Sequence, residues 1–264
     1  MTPHRLVILY GIGGLSDVGR HAVELAIERD DIEWVRVITQ HPDMLYEQSN
    51  WDCGCPGGHS IQRDDPRFTL LSVAPGAAGW ETQTTRTATD ILQRQLEGAT
   101  AVISCLGNRQ PGWVNAKIKQ GWVSAAGNKA VIEGMQAHGV SRAVVISSVG
   151  IEEDAPPLEF HWAGKIMTCL FKTNTKKAFD DLTQMERAYR KSELDFLFVR
   201  PVGIGEETKP TGTWKLQQEK GKDALGLDMA KVDVARYMLE EALAPTRHKS
   251  SVVIGTELPE TKSG

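Results

Sequence analysis

The chain has 264 residues, enough to bury a sizeable core as one α/β domain. Its net charge of −4, with no run of lysines and arginines interleaved with aromatics, argues against nucleic acid and anionic membrane as partners. No apolar stretch approaches the roughly 20 residues that span a bilayer, and MTPHR running straight into an apolar segment is unlike a signal peptide. The expectation is therefore a soluble, cytoplasmic protein, or an organellar one from which a transit peptide has been removed.

The first element, Leu6 to Tyr10, is an apolar run of the kind that forms a buried strand. It breaks into Gly11, Gly13, Gly14 and Gly19, and a helical repeat of Val18, Ala22, Leu25 and Ala26 follows, ending near Asp30 and Asp31. Strand, glycine loop and helix together predict a dinucleotide site. Glycines let the chain turn tightly and let backbone N–H groups approach a pyrophosphate at the positive end of the helix. The loop reads as GxxG on Gly11 and Gly14, or as GxxxGxG on Gly13 and Gly19 with Asp17 in place of the middle glycine. We take Asp17 to cap the helix while the phosphates lie nearer Gly11 to Leu15, with Val18 and Gly19 in the cofactor's reach.

Trp34 to Thr39 is the second strand, and its end is where such folds choose between cofactors. Thr39, Gln40 and His41 stand there without a carboxylate, which weighs against strict NAD preference, and without an arginine, so NADP is favoured while NAD stays open. Residues 42–67 carry proline, glycine and the pair Cys53 and Cys55 near His59. Two thiols and one imidazole do not complete a tetrahedral metal set, so an exposed loop is expected. Phe68 to Val73 is the third strand, Thr85 to Leu96 a helix, and Ala101 to Leu106 the fourth strand, which ends in Gly107 and Asn108, where ligands of open α/β sheets lie. A helical pattern within Trp113 to Gly139 stops at its glycine. Ala143 to Ser148 is the fifth strand, Thr175 to Lys191 a helix with Phe179, Leu182, Met185 and Tyr189 on one face, and Asp195 to Val199 the sixth strand, running into Arg200 and Pro201. A helix over Lys231 to Leu243 and a short strand over Ser251 to Ile254 close the chain. This alternation predicts a doubly wound, Rossmann-type parallel sheet with helices on both faces.

Five segments make the chain resemble the short-chain dehydrogenase/reductase superfamily, in its atypical NAD(P)-binding NmrA-like and biliverdin/flavin reductase members. They are the glycine loop, LEGATAVISCLGN at 96–108, NKAVIEGMQAHGVSRAVVISSVG at 128–150, the stretch MERAYRKSELDFLFVRPVGIGEETKPTG at 185–212, and AKVDVARYMLEEAL at 230–243. The resemblance implies one NAD(P)-binding domain over 1–264, with the substrate region built from 109–125, 150–175 and 202–230. It also implies that Leu106, Gly107 and Asn108 border the cofactor, and that Pro201, Val202 and Ile204 lie against the nicotinamide.

In many superfamily members a serine after the fifth strand is followed 13 residues later by tyrosine and four further on by lysine. Here that spacing runs Ser148, His161, Lys165. If 161–165 is helical, His161 and Lys165 share a face and Lys165 reaches the cofactor ribose. A lysine cation lowers a tyrosine's pKa but pushes a histidine below its ordinary value, leaving a neutral imidazole that is a poor proton donor to an alkoxide. Acceptors that spread charge over a conjugated ring system depend less on such an acid. The expectation is thus a flat, conjugated small-molecule substrate such as a flavin, quinone or bilin, handled by a monomer or homodimer. A non-catalytic redox sensor, and a carbonyl reductase using His161 in place of tyrosine, are the competing readings.

Overall fold

The computed structural model describes residues 3–10, 17–39, 65–72, 92–107, 123–149, 151, 176–205, 209–217, 225–226 and 228–257. Strand β1 (His4–Tyr10) lies inside the sheet with a strand on either side, and its Leu6 to Leu9 are wholly buried. A strand covered on both faces has no need to alternate apolar with polar residues, which is why this run is continuous. Helix α1 (Asp17–Ile27) leads to β2 (Ile32–Thr39), then β3 (Phe68–Ser72) and β4 (Ala101–Cys105). Helix α2 (Val123–His138), β5 (Arg142–Ile146), helix α3 (Lys176–Arg190) and β6 (Asp195–Pro201) follow. The two-residue strands β7 (Ile204–Gly205), β8 (Lys215–Leu216) and β9 (Met229–Ala230) precede helix α4 (Lys231–Leu243) and β10 (Ser250–Gly255).

The main sheet has eight strands in the order β3-β2-β1-β4-β5-β6-β10-β8. All its pairs are parallel except β10 with the edge strand β8, a departure from the all-parallel expectation. Strand β7 pairs with β9 in a separate two-stranded ribbon. Side-chain alternation on β1 sorts two cores. Leu6, Ile8 and Tyr10 join α1 and α4 on one face, while Val7 and Leu9 join Met135 of α2 and Met185 and Tyr189 of α3 on the other. The Rossmann-type doubly wound architecture with helices on both faces is therefore as expected.

Element ends differ from the sequence reading by a few residues. Helix α1 stops at Ile27, so β2 starts two residues before Trp34, and Ser147 and Ser148 stand beyond β5 rather than in it. Gly139 ends α2 as predicted. Its φ of 68° is the left-handed conformation that glycine adopts without a Cβ clash, and the Val140 N–H donates to the Met135 carbonyl at 2.9 Å.

Candidate active site

Between β1 and β4 the strand order reverses direction, since β1 connects through α1 to β2 on one side and β4 through α2 to β5 on the other. The connections diverge there and leave a crevice beyond the carboxyl ends of the two strands, the place where open α/β sheets hold ligands. Tyr10 and Cys105 form the last register pair below it. Cys105 is buried, and burial pushes its thiol up to about 12, so it is an inert part of the floor.

Gly19 brings α1 against this floor. A Cβ at that position would lie 2.1 Å from the Tyr10 Cβ and 3.1 Å from the Cys105 Cβ, so only glycine lets the helix cross the strands this closely. The sequence-derived cofactor contacts Val18 and Gly19 are thus both buried in the core beneath the crevice, with Val18 in the apolar cluster that includes Ala22 and Tyr10. Their contribution is to seat the start of α1. At the mouth of the crevice an added Cβ on Gly107 would meet nothing within 4 Å among the described residues, so none of these closes over the end of β4. Leu106, immediately before it, is buried, and its carbonyl accepts from the Ser124 hydroxyl at 3.2 Å. Thr39 is buried at the end of β2 and is in register with Ser72 of β3. A close-packed helix start beside a strand end that none of the described residues covers fits a dinucleotide.

The second half of the sheet carries the remaining described candidates. The Ser147 N–H donates to the Val199 carbonyl at 2.8 Å, and its buried hydroxyl donates to Glu186 Oε1 at 2.6 Å. The neighbouring Ser148 is half-buried, and its hydroxyl donates to the Val149 carbonyl at 3.3 Å, a long local bond that a ligand can replace. Of the two serines, Ser148 is the one whose hydroxyl is not tied to a buried carboxylate. Pro201 is buried at the end of β6 opposite Ile254, and the Val202 N–H donates to the Ile254 carbonyl at 3.0 Å. Ile204 pairs with Met229, which holds the chain after β6 across the start of α4.

Four charged residues that the periodicity argument left out prove to be buried here. Glu186 and Arg200, both fully enclosed, pair through Nε to Oε1 at 3.1 Å and a second guanidinium nitrogen to Oε2 at 2.5 Å. Asp181 accepts the Ser124 and Ala125 N–H groups at 2.8 Å each, capping α2 from a neighbouring helix. Burial pushes its carboxyl above the usual range, although both backbone bonds pull the other way. Asp233, in the first turn of α4, accepts the Thr211 and Gly212 N–H groups at 2.8 and 3.0 Å and so anchors the turn before β8. A signal for the first pair existed. Arg200 shares strand parity with the core residues Phe196 and Phe198, which obliges some buried anion to face it.

Gly11, Gly13, Gly14, Leu15, Gln40, Asn108, His161 and Lys165 lie outside the described residues, as do Cys53, Cys55 and His59 and most of 109–125 and 150–175. Among the described residues no cluster of three metal-ligating side chains occurs, and no helix is long and apolar enough to cross a membrane.

The sequence profile of a family described as NAD(P)H-binding matches residues 63–245, well over half of the chain. The chain belongs to this NAD(P)H-binding family. None of the curated proteins compared with it matches. Among solved structures, a wide-type short-chain dehydrogenase/reductase from Veillonella parvula in complex with NADP is similar at 14% identity and a TM-score of 0.65, with 98% of this chain and 96% of that one covered. ChuY, an anaerobillin reductase from Escherichia coli, is similar at 19% identity and a TM-score of 0.62, over 98% of this chain and all (100%) of that one. A Rossmann-fold NAD(P)-binding family protein from Shigella flexneri gives 14% identity and a TM-score of 0.56, with 97% of each chain covered. The expected Rossmann-type fold is borne out by these structures, and the binding of a nicotinamide dinucleotide by the family match.

Proposed function

We propose that this protein is an NAD(P)H-dependent oxidoreductase that favours NADPH and reduces a flat, conjugated acceptor of the flavin, quinone or bilin class. The observation that carries the cofactor half is the crevice at the β1–β4 reversal, floored by the Gly19 contact and, among the described residues, uncovered at Gly107. In the sequence Gly11, Gly13 and Gly14 fall between β1 and α1, and the first backbone N–H groups of such a helix suit a pyrophosphate. The absence of an acid at 39–41 supports tolerance of a 2′-phosphate. When bound, the reduced nicotinamide supplies a hydride. Ser148 offers a hydroxyl to the acceptor's polar edge, Lys165 holds the ribose, and the acceptor draws its proton largely from solvent, since imidazole stands where a phenol would donate it. The acceptor class is supported by imidazole at 161, and is in keeping with the reductase named for one structural neighbour.

Calorimetry with NADPH and NADH, followed by cofactor oxidation against a panel of flavins, quinones, bilins and simple carbonyls, tests both halves. Turnover restricted to the conjugated acceptors is expected. Turnover of carbonyls alone would make His161 the working acid, and tight binding with no turnover on any acceptor would mark a redox sensor. NADH binding at least tenfold better than NADPH, about 1.4 kcal/mol, would overturn the cofactor preference.

A further inference from the structure

We infer that Glu186 and Ser147 are positioning residues for the nicotinamide half of this site, an inference that rests on the cofactor reading above. One carboxylate oxygen, Glu186 Oε1, accepts both the Ser147 hydroxyl at 2.6 Å and Arg200 Nε at 3.1 Å. Ser147 immediately precedes Ser148 in the turn after β5, and Arg200 immediately precedes Pro201 and Val202 at the end of β6. A single atom of α3 therefore ties together the two strand ends that are followed by Ser148 and by Pro201 and Val202, the residues that the cofactor reading assigns to the nicotinamide half. The Ser147 N–H to Val199 carbonyl bond at 2.8 Å closes the same triangle through the backbone.

The location gives the tie its function. A doubly wound sheet binds a dinucleotide across its reversal point, with the adenosine over the first half and the other nucleotide over the second. Strands β5 and β6 belong to the second half. A surface loop can hold a serine only loosely, whereas a buried charge-assisted bond fixes its backbone in one geometry. The burial of Glu186 and Arg200 is costly unless both are fully paired. The Ser147 hydroxyl, by contrast, can be removed without leaving a charge unpaired, because the ion pair remains. It is the part of the device that can be tested with the fold intact.

Ser147→Ala should raise the Kd of NADPH about fivefold or more in calorimetry. It should leave unchanged the Kd of 2′-phospho-ADP-ribose, which is NADPH without its nicotinamide, and should move the melting temperature little. For NADH the matching fragment is ADP-ribose. Glu186→Gln, which keeps the shape but not the charge, should show the same split together with a lower melting temperature. A Ser147→Ala protein that binds NADPH as the natural protein does, or that loses dinucleotide and fragment alike, would overturn the inference while leaving the cofactor reading intact. A natural protein that binds neither dinucleotide nor fragment would sink both.

Discussion

Gly19 acts through an atom it lacks. Any side chain there would begin 2.1 Å from the Tyr10 Cβ, well inside van der Waals contact, so either α1 or β1 must give way. Overpacking of this kind costs about 1–3 kcal/mol. Gly19→Ala should lower the unfolding free energy measured in urea by that amount, and because the strain falls between the helix start and the crevice floor, it should weaken dinucleotide binding as well. A variant as stable as the parent would mean that the helix can lift freely. This position also marks where reading the sequence stopped short. The glycine spacing singled out Gly19, yet spacing alone does not separate a glycine that touches phosphate from one that admits a helix.

Among the elements, α3 does more than its apolar stripe predicts. Met185 and Tyr189 fill the core as their spacing implies, but Asp181, Glu186 and the Tyr189 hydroxyl reach three different places. Asp181 caps α2, Glu186 holds Ser147 and Arg200, and the Tyr189 hydroxyl donates to Asn128 Oδ1 at 2.9 Å, where Ser104 donates at 2.8 Å. Asp181→Ala should cost about 0.5–2 kcal/mol, the range for losing a helix cap, read from chemical denaturation. An unchanged midpoint would show that water serves the two N–H groups equally well. Helical periodicity could not reveal these acids, because a buried carboxylate and a solvated one look alike until the partner's position is known. The two-residue strands β7, β8 and β9 escaped for a simpler reason: two residues carry no period.

The far end of the sheet from the crevice is tied by Asp195 at the start of β6, which bonds His248 at 2.8 Å, Arg142 at 3.1 Å and the Lys249 N–H at 3.2 Å. Burial pushes its carboxyl up, but the His248 bond, the Arg142 charge and the Lys249 N–H together hold it below the ordinary carboxylate range. A folded-state pKa lower than the unfolded value gives stabilisation that is complete above the unfolded value and lost as the pH falls through the folded one. Acid unfolding of the natural protein should therefore include a component below the ordinary aspartate value of 3.8 that Asp195→Asn abolishes. Identical acid transitions in the two proteins would remove Asp195 from the account.

At the scale of the whole molecule, the doubly wound sheet with helices on both faces was legible in the sequence, because continuous apolar strands and the helices between them leave few topologies open. The chemistry was only half legible. Its expected residues His161 and Lys165 follow from spacing, and their roles separate by measurement. His161→Ala should lower turnover on a conjugated acceptor by less than the 10²–10⁴-fold typical of losing a positioned acid. Lys165→Ala should chiefly raise the cofactor's Kd. A collapse of turnover in His161→Ala at unchanged cofactor affinity would reassign the proton to the imidazole.

The place of β1 inside the sheet also sets a problem of timing. Its inner neighbour is β4, and the bonds that join them begin with the Arg5 N–H to Thr100 Oγ1 at 2.9 Å, between residues 95 apart in the chain. On the ribosome, this apolar strand emerges well before β4 and waits for synthesis of its partner with one edge bare, an invitation to pair with another chain. Parallel pairing over such a separation is also slow once both strands exist. Nascent chains truncated before residue 101 should be the ones that chaperones hold and that aggregate when released, and extension through Cys105 should relieve both, as the open edge closes.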